Sequence, residues 1–336
     1  MPITTIKYPT ILFLLFFSLP GHAADPDAFQ RCILDKTEKA DQTVRAIDIH
    51  QQCSRDYPET DQPGTLDHSP VHTRIQIDQT NQFKPFTLMA FKPNFILAAT
   101  YNQAGYNADI YPIPPGESSI DLDSSEAQFQ ISIKTPLLIN LFNKDINLYA
   151  GYTNRSFWQV YNSKLSRPFR ETNHEPEIWL QTTRSTKILG FDNRINTLGL
   201  SHQSNGQGNI LSRSWNRLYA QFAFEKQSFV FAIKIWERFS EDPATDDNPD
   251  IIDYMGHGEF RLVYSKQNHS LRFMSRNNLE SGFERGATEL SWSFPITSRK
   301  DMKGYIQIFS GYGESLIDYN QRVNRIGLGI SLSDWL

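Results

Sequence analysis

From about Phe86 to the C-terminus, apolar residues recur at every second position. Leu198 and Leu200, Leu218, Phe222 and Phe224, and Ile326, Leu328, Ile330 and Leu332 are the clearest runs. Period two is the signature of a half-buried strand. It predicts twelve strands, near 86–101, 126–136, 145–160, 175–185, 195–205, 212–225, 228–239, 252–266, 268–277, 285–295, 302–313 and 323–336. The segments between them alternate in length. Stretches such as 102–125, 161–174 and 240–251 are long, whereas 137–144, 226–227 and the turn at Asn268 are short. An even number of ten-residue strands with loop lengths sorted in this way describes an antiparallel transmembrane β-barrel of the outer-membrane type. The last strand, RIGLGISLSDWL, would close on the first and remove the edge that lipid cannot tolerate. The expected fold is therefore all-β, a twelve-stranded barrel over 81–336 with a short N-terminal periplasmic segment.

Composition narrows the choice. Aromatic residues make up 13% of the chain, yet no apolar run after residue 23 approaches the roughly 18 residues of a membrane helix. The net charge is −4, so no basic surface invites nucleic acid. Residues 1–23 read as a secretory signal, with Lys7 ahead of the apolar run ILFLLFFSLP and small residues at Gly21–Ala23. The polar segment 24–80 holds the only cysteines, Cys32 and Cys53. Outside the cytoplasm a disulfide between them is the preferred assignment, with two separate thiols as the alternative.

The chemistry lies in one hairpin, residues 198–224. Its outward register runs Leu198, Leu200, His202, Ser204 on one strand and Asn216, Leu218, Ala220, Phe222 on the next. A hairpin centred on Asn209 makes His202 and Asn216 direct cross-strand partners, about 5 Å apart at Cβ. Ser204 follows His202 on the same face at about 6.6 Å along the strand. A serine needs a base to take its proton, and an amide oxygen can fix the imidazole tautomer without adding a charge near lipid. Polar residues at the headgroup rim are the plain alternative on geometry alone.

Several segments resemble the outer-membrane phospholipase A family: PFRETNHEPE (168–177), HQSNG (202–206), SRSWNRLY (212–219), DDNPDI (246–251), YMG (254–256) and SGYGESLIDYN (310–320). They occur in family order over about 150 to 336. The resemblance implies a calcium-dependent, dimer-activated serine esterase acting on the A1 and A2 acyl esters of membrane phospholipids and on lysophospholipids. The monomer would be the resting form, and the barrel would lie in the bacterial outer membrane with its termini in the periplasm. Ser204 would be nucleophile, His202 base and then acid, Asn216 the orienting residue, and the Gly206 N–H an oxyanion donor. Calcium would be held by the Gln207 carbonyl, the Ser212 hydroxyl and Ser166 from the facing subunit, with a further position at Asp247. Asn154 would stand at the dimer contact. Three positions depart from the family member compared. Gln207 replaces Arg, Asn209 replaces Asp near the calcium loop, and Asn154 is shorter than the family's Gln. A non-catalytic outer-membrane barrel and a soluble periplasmic β-domain are the competing readings.

Overall fold

Strands β2 (Asn94–Asn102), β3 (Ser125–Leu138), β4 (Ile146–Trp158), β5 (Phe169–Thr182), β7 (Phe191–Ser204), β8 (Ser214–Lys226) and β9 (Phe229–Arg238) follow one another as antiparallel neighbours. The series continues with β10 (Gly258–Lys266), β11 (His269–Asn277), β12 (Gly286–Ile296), β13 (Arg299–Gly311) and β14 (Val323–Ser333). Because β14 also pairs with β2, with Arg325 opposite Asn102 and Ile330 opposite Ile96, these twelve strands close into a barrel. Two short strands decorate it: β1 (Met89–Ala90) on β3, and β6 (Thr186–Ile188) on β7. This is a computed structural model describing residues 69–82, 84, 87–113, 119–277, 282 and 284–334 together with Cys32, Asp35, Lys36 and Gln52. The signal segment and Cys53, and hence the disulfide assignment, lie outside the described residues.

All twelve strands expected from the alternation are present, and the three largest differences in boundary have local reasons. The first barrel strand starts at Asn94, because Pro93 has no N–H for the ladder and the chain before it turns inside. There Phe91 stacks on Trp179 with ring centres 4.4 Å apart. Residues 251–255 form a short helix, α2 (Ile251–Met255), since Ile251 and Met255, four apart, bury one common face. Strand β5 begins six residues before the expected Glu175. Its inward positions Glu171, Asn173, Glu175 and Glu177 are polar, so the apolar face that alternation detects is confined to Ile178 and Leu180 outside.

The two faces have opposite chemistry. Outward positions such as Leu198, Leu200, Ile233, Leu290, Ile308 and Leu328 are exposed, as a lipid-facing surface requires. Aromatic pairs sit toward both ends, Trp158 with Phe169 near the long loops and Phe229 with Tyr264 near the short turns. The interior is filled by paired charges. Lys92 bridges Glu175 and Glu177 at 2.6 Å each, Arg217 meets Glu175 at 2.7 Å, and Arg170 meets Glu126 at 2.9 Å. A cavity of about 160 Å³ in the interior is lined mostly by these polar groups.

Each mouth is closed by chain. Helix α1 (Pro70–Asn81) starts at Ser69, whose hydroxyl caps the His72 N–H at 2.9 Å, with Pro70 at the position where a missing N–H costs nothing. It packs inside the short-turn end, Val71 against Val230 and Val263, with Asp78 paired to Lys134 at 2.5 Å. The compact unit that contains the barrel thus begins at Asp67 and takes in this helix. At the other end the loop 312–322 folds in. Glu314 bridges Arg155 at 3.1 Å and Arg325 at 2.6 Å, and Asp318 binds Arg170. Burial, then the hydrogen bond and charge of Asp250, push the Tyr319 phenol above its usual range, so it remains a donor to that carboxylate.

Candidate active site

The upper end of the β7–β8 hairpin carries the site. Its register pairs His202 with Asn216 and Ser204 with Ser214, the partnership expected from the loop centre at Asn209. His202 is exposed on the outer face, above Leu198 and Leu200. Its Nδ1 lies 2.9 Å from the Asn216 Oδ1. An amide oxygen can only accept, so Nδ1 carries the proton and the Nε2 lone pair is left as a base. Ser204, the last residue of β7, follows two residues along the same face; its hydroxyl has no hydrogen-bond partner among the described residues.

The strand behind this hairpin is locally loosened. Between β5 and β7 the register pairs Glu177 with Ser201 and His174 with Ser204, with no pair in between. Pro176 occupies the gap, opposite His202, and has no N–H to give the ladder. Below the site the register is locked by size. A Cβ on inward-facing Gly199 would stand 2.7 Å from both Trp179 and Tyr219, so only glycine fits there.

The loop after Ser204 is shaped by Asn205, a residue whose role the sequence did not signal. Its buried amide oxygen accepts from the Gln207 N–H at 3.2 Å and the Arg213 N–H at 3.0 Å, and its Nδ2 donates to the Leu211 carbonyl at 2.8 Å. Both ends of the loop are thereby tied to one side chain. Gly206 turns through φ +64°, a left-handed conformation that side chains rarely adopt. Its N–H has no partner among the described residues and is free to meet a bound oxygen. The Gln207 carbonyl likewise accepts nothing within them.

Ser212 and Asp247 come together although they are 35 positions apart: the hydroxyl donates to the carboxylate at 2.5 Å. The DDNPDI segment is placed for this by Asn248, which accepts from the Ser214 N–H at 2.9 Å, and by Asp246 on Arg238 at 2.6 Å. Ser166 sits exposed in the separate β4–β5 loop, and no hydrogen bond joins it to Gln207, Ser212 or Asp247. Among the described residues no three His, Cys, Asp or Glu side chains cluster as a metal site. Oxygen ligands here would come from a carbonyl, a hydroxyl and one carboxylate. Asn154 faces outward in mid-strand on β4, opposite His174 of β5.

A closed barrel with a histidine, an asparagine and a serine together on its outer surface is the arrangement a membrane-embedded hydrolase would use. The comparisons say which. The family model for phospholipase A1 matches residues 71–332. Phospholipase A1 of Klebsiella pneumoniae is 37% identical over 250 residues, covering 74% of this chain and 84% of its own. The structure of outer membrane phospholipase A from Escherichia coli superimposes with a TM-score of 0.68 at 35% identity, over 75% of this chain and all of that one. The Salmonella typhi outer membrane phospholipase, a dimer with bound calcium, gives 0.69 at 35% identity over 76% and 97%. The chain belongs to the phospholipase A1 family and is an enzyme of the bacterial outer membrane.

Proposed function

We propose that this protein hydrolyses acyl esters of membrane phospholipids, at the A1 and A2 positions and in lysophospholipids, using Ser204, His202 and Asn216. The observation that carries the reading is the His202–Asn216 hydrogen bond on the outer barrel face beside Ser204, the face a neighbouring lipid would meet. The Ser204 oxygen forms a bond to the ester carbon while its proton passes to His202 Nε2 and the carbonyl electron pair moves onto oxygen. That oxyanion meets the Gly206 N–H. On collapse the carbon–alkoxide bond breaks, and His202 returns its proton to the departing lysophospholipid. Water then repeats the sequence on the acyl-serine and releases the fatty acid.

The uncommitted Gln207 carbonyl, the Ser212 hydroxyl and the Asp247 carboxylate are hard oxygen donors and fit calcium. When bound there, the ion supplies positive charge beside the developing oxyanion. Ser166 would join from a second copy, with Asn154 at the contact between the two, which makes the dimer the active form and the monomer the resting one. The calcium-bound dimer of the Salmonella typhi relative supports this part. Fatty acid release from phospholipid in detergent, measured with calcium and with chelator for wild type and Ser204→Ala, tests the proposal. Calcium-dependent release by wild type alone is expected; equal release by Ser204→Ala would overturn it.

A further inference from the structure

Ser204 has a second histidine on its other side. His174 of β5 is its direct partner across the β5–β7 ladder, on the same outer face. Directly opposed residues of an antiparallel pair place their Cβ atoms about 4.5–5.5 Å apart. The ring also reaches the Gly206 turn. A Cβ built on that glycine would stand 3.7 Å from both His174 Cδ2 and Nε2. His174 Nε2 thus stands beside the Gly206 backbone, whose N–H is uncommitted among the described residues.

The tautomer of His174 follows from its neighbours. The Ser156 hydroxyl donates to the Asn154 Oδ1 at 3.0 Å, because an amide oxygen can only accept. That bond turns the Asn154 Nδ2, a donor, toward His174 Nδ1 at 3.4 Å. With its proton committed, the Ser156 hydroxyl accepts from Thr172 at 3.1 Å. The Tyr152 hydroxyl reaches the same Nδ1 at 2.6 Å. A ring nitrogen facing an amide N–H acts as acceptor, so the Tyr152 hydroxyl donates to it and the ring proton sits on Nε2. The chain Thr172, Ser156, Asn154, His174 runs in one direction, each donor polarising the next. His202 is the mirror case, since its Nδ1 meets an acceptor and its Nε2 is a base.

We propose that His174 is a second oxyanion donor, its Nε2–H assisting the Gly206 N–H at the substrate carbonyl, with Asn154 and Tyr152 as positioning residues. The inference rests on the hydrolase reading above and adds a residue to it. His174 would touch the substrate oxygen and strengthen its hydrogen bond as charge develops, so its loss falls on kcat rather than KM.

The test compares wild type, Ser204→Ala, His174→Phe and His174→Gln as refolded full-length protein, with kcat and KM measured on phospholipid in mixed micelles with calcium. Phe keeps a flat ring and removes the donor; Gln restores an N–H at similar reach. The expected result is a kcat about tenfold to a hundredfold lower for His174→Phe at unchanged KM, largely recovered in His174→Gln. Activity of His174→Phe within threefold of wild type overturns the inference, as does a change in KM alone or an equal loss in both variants, which would mark a packing role. Inactive wild type, or active Ser204→Ala, instead defeats the hydrolase reading itself. Heat-modified gel mobility separates loss of the folded barrel from loss of a donor.

Discussion

The barrel has two polar regions, and they are built to opposite rules. Inside, charges are buried and cross-linked: Arg170 is gripped by Glu126 and Asp318, and Lys92 by Glu175 and Glu177. Outside, the strip from Asn216 through His202 and Ser204 to Asn154 bears no carboxylate, lysine or arginine, is half-open, and leaves a hydroxyl and an N–H uncommitted. The difference follows from what each region faces. Lumen charges would cost several kcal/mol each if left unpaired in a dry interior, so they are satisfied within the chain. The outer strip faces lipid, where full charge is costly, and on the proposed reading its spare groups are left for substrate.

Substitutions in the two regions should therefore have separable effects. The largest is expected for Ser204→Ala, with phospholipid turnover down at least about a thousandfold while urea unfolding of the barrel is unchanged; a shifted unfolding midpoint would blur the division between the regions. In the lumen, Glu126→Ala leaves the Arg170 guanidinium without its two-pronged partner and should cost about 3–5 kcal/mol of stability. The surviving folded fraction should keep its kcat, checked by activity per folded molecule. Asn216→Ala removes one neutral hydrogen bond from His202, worth about 1 kcal/mol, and should slow kcat roughly tenfold or less without changing unfolding. The smallest effect is expected for Asp247→Asn, which removes the charge from one of the proposed calcium ligands, beside Ser212. It should raise the calcium needed for half-maximal activity several-fold and leave kcat at saturating calcium near wild type, read from a calcium titration.

Most of the barrel was legible in the chain, because lipid outside and a polar lumen inside impose strict alternation on every strand. It became illegible where other demands overrode that pattern. Residues 251–255 have apolar positions that suit either period, and packing against the barrel interior decided for a helix. Strand β5 opens with inward charges, so its start was hidden. Of the proposed site, His202, Ser204 and Asn216 could be placed together because they belong to one hairpin, where the loop centre fixes the register. His174 could not, since its pairing with Ser204 depends on how β5 docks against β7 across the β6 hairpin and past Pro176. Asn205 was hidden too, because three backbone contacts from one amide leave no periodic trace.

The sequence by itself determined the strand number, the two faces and the cross-strand pairing of His202 with Asn216, each a consequence of period-two geometry over short separations. Only the tertiary structure decided which strands close the ring, how loops 205–213 and 239–257 bring Ser212 to Asp247, and which histidine nitrogens carry protons. Those outcomes depend on contacts between residues far apart in the chain. A proton's place on a ring is set by its neighbour's chemistry, and folding is what chooses that neighbour.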